Sequence, residues 1–211
     1  MRFSDKQRIT AHPDLHQIVL VAAGLDTRAY RLVWPAHTRL FELDQAAVLN
    51  RKHMVLDQAG AHPTCDRRAI GVDLTTAWKA DLLRAGFEPD QPSGWLLEGF
   101  LFYLPNETVT RLLDAVTELA APGSWLGFDV INSSMLTSPL TKTWVEMQAN
   151  SGAPWIGTMN DPKAFLEVRG WKAALTQAGQ PDANHGRWQY PVIPVDMPNM
   201  PHNWLVTVQR V

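Results

Sequence analysis

Cysteine is almost absent: the 211 residues contain one, Cys65. That excludes an internal disulfide and points to a reducing compartment, the cytoplasm. There is no basic excess, since Lys+Arg 19 against Asp+Glu 21 leaves a net charge of −2. That argues against nucleic acid or an acidic membrane surface as partner. No apolar run reaches the roughly 20 residues that a membrane-spanning helix needs. The opening MRFSDKQRIT is polar and lacks the apolar segment of a signal peptide. Internal repeats and low-complexity segments are missing. The seven His show neither metal-ligand spacing nor a His–Asp dyad. The full glycine fingerprint G-x-G-x-x-G is missing too.

What is present is the length and apolar content of one ordinary domain, with 45% hydrophobic residues, enough to bury a full core. Short apolar runs alternate with helical patterns. Strands are expected at 18–21, 38–43, 67–72, 94–97 and 125–131. Helices are expected to 32, over 46–57 and 75–85, and from Pro105, where Val109, Leu112, Leu113, Val116 and Leu119 share one face. Residues 1–15 are polar and partly helical before Pro13. This alternation predicts an α/β fold with a doubly wound, mostly parallel sheet. Beyond 131 the pattern changes. Helices are expected at 139–150 and 162–168 and strands at 171–176 and 204–211. Irregular segments lie between them, suited to a lid over the strand ends and an antiparallel edge. Nine Trp read mainly as core packing, or, in the C-terminal third, as the lining of an apolar pocket.

The chain is organised around QIVLVAAGLDTRAYRL, residues 17–32. A strand buried on both faces runs into Ala22, Ala23 and Gly24, then into Asp26 and Thr27. Small residues let the backbone approach a ligand, and a helix start offers free N–H groups. The same features also fit an ordinary tight turn with Asp26 as helix cap. Asp44 ends the second strand about twenty residues after Gly24, where a carboxylate can accept both hydroxyls of a ribose; alternatively it starts the next helix. Glu42, two residues earlier, points to the same side of the strand. Asp73 and Leu74 follow the third strand, as adenine contacts or a helix cap. Glu98-Gly99 follow the fourth, where open α/β sheets bind ligands. Tyr103, His185 and His202 are candidates to face a substrate, against the plainer reading of packing or surface positions. Cys65 reads as structural.

The stretches AAGLDTRAYRL, LFELDQAAVL, CDRRAIGVDL and WLLEGFLFYLPNE together resemble the leucine carboxyl methyltransferase family. The likeness is greater to its bacterial branch of S-adenosylmethionine-dependent methyltransferases, a family that also holds the O-methyltransferase of tetracenomycin polyketide synthesis. It extends weakly to HGRWQYP. The resemblance implies a class I methyltransferase (Rossmann-like) three-layer sandwich with a mostly parallel seven-stranded sheet and an antiparallel last strand. It implies S-adenosyl-L-methionine as cofactor, with Gly24 at the cofactor turn, Asp44 at the ribose, Asp73 and Leu74 on the adenine side and Glu98 after the fourth strand. Ala22 departs from the commoner glycine. Residues 1–211 read as one domain that lacks the family's N-terminal cover segment, with Arg2 at its remnant.

The expected activity is methyl transfer to a carboxylate or hydroxyl of a small molecule, with no nucleic acid or membrane involved. A carboxylate acceptor is already ionised and needs no base, whereas a phenol or alcohol benefits from one. The alternative is a catalytically weak remnant that binds cofactor or a partner without turnover. A nicotinamide-dependent oxidoreductase is disfavoured by the missing glycines and by Glu98.

Overall fold

The structure, a computed structural model, describes residues 15–184, 186 and 189–211. Strands β1 (Gln17–Val21), β2 (Arg39–Asp44), β3 (Asp66–Gly71), β4 (Gly94–Leu97), β5 (Trp125–Ile131), β6 (Trp171–Gln177) and β7 (Asn203–Arg210) form one sheet in the order β3-β2-β1-β4-β5-β7-β6. The pairs β1–β2, β1–β4, β2–β3 and β4–β5 are parallel. Strand β7 runs antiparallel to both β5 and β6. This is the expected class I methyltransferase sheet, with one refinement: the antiparallel strand is not the edge. It is inserted between β5 and β6, so β6 forms the edge and runs with the first five.

Strands β1, β4 and β5 are buried along their whole length, which is why they read as continuous apolar runs. Their alternation divides the core. On one face Val19, Val21, Phe41, Leu43, Trp95 and Leu97 pack with Leu112, Leu113 and Val116 of the helix Asn106–Leu119. On the other face Ile18, Leu20, Leu40 and Leu96 pack with Ala29 and Trp34. That second face also carries two buried carboxylates, Glu42 and Asp129, which are 0% and 7% exposed.

Glu42, on the same side of β2 as Asp44, is a fully buried charge and not a surface one. It lies beneath the helix Ala46–Gln58 and holds Lys52 Nζ at 2.8 Å and Arg67 Nη2 at 2.6 Å. Strand period put Glu42 and Asp44 on one side, but only Asp44 reaches the strand end.

The helix expected at 75–85 is shorter, Lys79–Arg84. Asp73 does not cap it. Its Oδ1 instead accepts from the Thr75 N–H at 2.9 Å and the Thr75 hydroxyl at 2.7 Å, a local turn that competes with helix. Trp78 is buried in an edge-on contact with Trp95, whereas Leu83 is exposed. The helix expected at 139–150 starts at Lys142, after a separate turn of helix at Ser133–Thr137. Asp161 accepts from Ala164 N at 2.9 Å and starts the helix Pro162–Glu167 as expected. The region before Pro13, with Arg2, and His185 lie outside the described residues.

Candidate functional site

The carboxyl ends of β1, β2 and β4 converge on the turn after β1. Ala22 and Gly24 both take positive φ, 55° and 48°. Gly24 needs its freedom for that angle and not for space, since an added Cβ would meet only Ala22 O at 3.9 Å. Ala22 adopts the left-handed conformation that a glycine would take more readily. The turn is fixed to β2 by two bonds: Ala23 N–H donates to Leu43 O at 3.0 Å, and Gly24 N–H donates to Asp44 Oδ2 at 2.7 Å. Asp44 Oδ1 accepts from Gln45 N at 2.7 Å. Each carboxylate oxygen has a second acceptor direction, so the side chain is oriented by the backbone and keeps capacity for two more donors.

Asp26 ends the turn. Its Oδ1 accepts from Arg28 N at 2.6 Å, an Asx turn that leads into the short helix Arg28–Arg31, whose N-cap is Thr27 and not the expected Asp26. Its Oδ2 lies 2.5 Å from Arg28 Nη1, while Arg28 Nη2 lies 2.5 Å from Glu98 Oε2. A guanidinium that is 4% exposed thus joins the turn after β1 to the end of β4. Below it, Lys52 Nζ donates to Asp26 O at 3.0 Å and pairs with Glu42. A line of charge runs from the core to the site, and sequence reasoning missed its middle members, Lys52 and Arg28.

Two cavities open here. One, of about 250 Å³, is lined by residues 20–26 with Arg28, Leu96 and Glu98. The other, of about 430 Å³, shares Leu25, Asp26, Arg28 and Glu98 and extends over Gly99, Asp129 and Asn203 to the rings of Phe102, Trp144 and Trp155. The aromatic wall is built by close approach. Ile156 N and Gly157 N both donate to Phe102 O, at 2.7 and 3.0 Å. A Cβ on Gly157 would stand 2.4 Å from Leu104 O, so only glycine lets this loop lie against the turn at Leu101–Tyr103. Trp155 is thereby held 5.1 Å from Phe102 and 5.0 Å from Trp144, centroid to centroid. Trp144 and Trp155 therefore meet the pocket-lining reading of the C-terminal Trp, while Trp171 and Trp204 are buried.

Asp129 is the main residue that sequence reasoning missed. Its Oδ1 accepts from Gly99 N at 2.6 Å, at a residue with φ of 67°. Burial, reinforced by the charge of Glu98, pushes its carboxyl up to about 6, against the pull of the Gly99 N–H. The signal was present: a carboxylate inside the wholly apolar run WLGFDVI is an anomaly that calls for a reason.

Of the predicted residues, Gly24 and Asp44 are in direct contact, and Glu98 joins them through Arg28. Asp73 and Leu74 follow β3, whose end is tied to β2 by Val72 N–H to Asp44 O at 2.8 Å. Asp73 is exposed, its carboxyl held below the usual range by its bonds from Thr75. Leu74 is buried and lines a separate groove with Trp78 and Leu112. Tyr103 packs on Phe102 and is not among the cavity's lining residues. His202 is buried, with Nδ1 2.6 Å from Gln177 Oε1 and its ring stacked on Trp204, outside both cavities. Burial lowers its basicity. Cys65 is pushed up to about 11, first by burial and then by Glu42, which keeps the thiol protonated. No helix among the described residues is long and apolar enough to cross a membrane.

A model of the leucine carboxyl methyltransferase family matches residues 2–117. A protein of Mycolicibacterium smegmatis, provisionally named as an S-adenosyl-L-methionine-dependent methyltransferase, is 39% identical over 193 residues, 88% of this chain and 65% of its own length. A similarly named protein of Mycolicibacterium gilvum is 45% identical over 170 residues, 77% of this chain and 56% of its own length. The chain thus spans less than two thirds of these relatives. Among solved structures, a provisionally named methyltransferase from Thermobifida fusca superposes with a TM-score of 0.64 at 18% identity, covering 94% of this chain and 74% of its own. An O-methyltransferase family protein from Burkholderia thailandensis gives 0.63 at 12% identity, covering 97% and 53%. Both likenesses are of fold.

Proposed function

The chain belongs to the leucine carboxyl methyltransferase family, and from that premise we propose that it is an S-adenosylmethionine-dependent methyltransferase acting on a small molecule. The observation that carries this reading is the Gly24 N–H to Asp44 Oδ2 bond of 2.7 Å. It holds a carboxylate with spare acceptor capacity beside Gly24, the one position of the turn without a side chain, at the strand ends where such sheets bind ligands. The donor set fits S-adenosylmethionine. Asp44 would accept the ribose hydroxyls, the turn at Gly24 would admit the backbone of the methionine moiety, and Asp73 with Leu74 would flank the adenine. Asp26, Arg28 and Glu98 together carry a formal charge of −1, which suits a ligand with a cationic ammonium and a sulfonium.

The bound cofactor supplies an activated methyl group, so the protein's task is alignment in a dry pocket. The turn and Asp44 fix the donor end. The shared boundary at Leu25, Arg28 and Glu98 sets the transfer point. Phe102, Trp144 and Trp155 exclude water from the acceptor end. The acceptor we propose carries a carboxylate or a hydroxyl, the class suggested by the likeness to the tetracenomycin O-methyltransferase. The single Cys65, kept as a thiol, supports a cytoplasmic setting.

The test is calorimetric titration of the purified protein with S-adenosylmethionine, repeated on Asp44→Ala. Saturable binding that is lost in the variant is the expected result. Absence of binding by a parent whose circular dichroism shows it folded overturns the reading.

A further inference from the structure

The acceptor cavity is chemically unlike the donor cleft beside it. One wall is the rings of Phe102, Trp144 and Trp155, facing the charged groups it shares with that cleft, and at about 430 Å³ it has room for a flat molecule of a few fused rings. Aromatic walls favour a planar guest by stacking and edge contacts. Asp129 stands in this wall, 7% exposed. It accepts from the backbone N–H of Gly99 and from its own N–H, and among the described residues no cation lies within ion-pair distance of it. Two further polar atoms belong to lining residues and have no partner there, the donor Trp155 Nε1 and the acceptor Asn203 Oδ1. Buried polar atoms without partners are rare and point to a group that satisfies them. A hydroxyl both donates and accepts, so it suits a wall of mixed character. A carboxylate only accepts and would bring a second negative charge against Asp129.

We propose that the methyl acceptor is a hydroxyl on a flat aromatic molecule, a phenol in the simplest case, and that Asp129 is the catalytic residue that receives its proton. This rests on the methyl-transfer reading above and narrows it. The acceptor's O–H bond breaks and its proton passes to the Asp129 carboxylate. The oxygen's electron pair forms the O–CH3 bond. The S–CH3 bond breaks with its pair staying on sulfur, so the sulfonium leaves as the neutral thioether of S-adenosylhomocysteine. Asp129 then releases the proton to solvent. The other charged groups lining the cavity are Asp26, Arg28 and Arg31 from the turn and first helix and Glu98 after β4, while β7 contributes the neutral Asn203. Arg28 is engaged by Asp26 and Glu98. A carboxyl that titrates near 6 is ionised at neutral pH yet basic enough to take a proton.

The experiment uses two probes of one shape, 4-nitrophenol and 4-nitrobenzoate, titrated at pH 8 by calorimetry in two buffers of different ionisation heat. Both the parent and Asp129→Asn are measured, without cofactor. Asparagine keeps the acceptor for Gly99 N–H and removes the charge. The parent is expected to bind 4-nitrophenol about tenfold more tightly than 4-nitrobenzoate and to take up close to one proton per bound 4-nitrophenol, because two adjacent anions share one. In Asp129→Asn the proton uptake vanishes and 4-nitrobenzoate gains about tenfold. A role for Asp129 confined to bracing the Gly99 turn would move neither quantity. The proposal is overturned if 4-nitrobenzoate binds the parent as tightly as 4-nitrophenol, if uptake persists in the variant, or if neither probe binds. A separate titration with S-adenosylhomocysteine tests the methyl-transfer reading, so failure there is distinguishable from failure of the acceptor assignment.

Discussion

In the donor half of the cleft, Asp26, Arg28 and Glu98 hold one another and Lys52 braces the turn from below through Asp26 O. In the proposed acceptor half, Asp129 has only backbone donors, and Trp155 Nε1 and Asn203 Oδ1 have no partner among the described residues, as is also true of Glu42 Oε1 under the brace. The same contrast recurs between the two buried carboxylates of one sheet face. Glu42 pairs with Lys52 and Arg67, whereas Asp129 has no cationic partner among the described residues and lines the cavity that also holds Phe102, Trp144 and Trp155. The donor half is organised before any ligand arrives. The acceptor half keeps unmet hydrogen-bonding capacity that a guest would meet.

The sharpest way to break the contrast is to remove the brace. Lys52→Met leaves Glu42 with Arg67 alone and should destabilise the fold by about 4 kcal/mol, as removal of one partner from a buried pair does. Urea unfolding would read it, and a loss below about 1 kcal/mol would show that the network braces nothing. On the proposed reading, Asp44→Ala removes two charge-assisted bonds to the ribose. It should weaken S-adenosylhomocysteine binding by about 3 kcal/mol, roughly 100-fold, and, by freeing the Gly24 and Gln45 N–H groups, cost a smaller amount of stability.

Asp129→Asn should act in the opposite sense on stability. The folded carboxyl titrates at about 6 against an ordinary 3.8, so protonation favours the folded state. The parent's stability from this group is full below about pH 4 and is lost as pH rises through about 6. The variant should therefore exceed the parent by roughly 2–3 kcal/mol at pH 8, with the gap closing toward pH 4. Denaturant midpoints across that range check the sign. The smallest effect is expected at Ala22, whose φ of 55° strains an alanine: Ala22→Gly should raise stability by about 0.5–1 kcal/mol.

Much of this fold was legible because the strands of a parallel sheet announce themselves. IVLV and GWLL are buried on both faces and carry no polar interruption. The donor half was legible for a related reason. Gly24, Asp44 and Glu98 stand at strand ends, where residue type follows from position. The extent of the helix after Asp73 and Leu74 was not legible, since the Asx turn of Asp73 with Thr75 outweighs the apolar spacing of Trp78, Leu82 and Leu83. The acceptor half resisted for two physical reasons. Asp129 sits inside a strand whose apolar flanks conceal which face it takes. Trp144 comes from the helix Lys142–Asn150 and Trp155 from an irregular segment held by the Gly157 contact, and their meeting depends on distance in space and not on any period along the chain. His202, a candidate base by its place in the lid-like region, is committed to Gln177 and Trp204 by packing that no local pattern displays.

The position of β7 bears on the order in which the site can come into being. Strand β5, which carries Asp129, and the edge strand β6 meet in the sheet only through β7, which is synthesised after both. A nascent chain can pair β1 to β5 as it emerges. It must then hold β5 with one side open until residues 203–210 arrive. The turn after β1 and its bonds to β2 can form early from a local crossover, whereas the wall with Asn203 closes last, when Asn203 pairs with Ile131. Vectorial synthesis thus completes the cleft from the cofactor side toward the acceptor side.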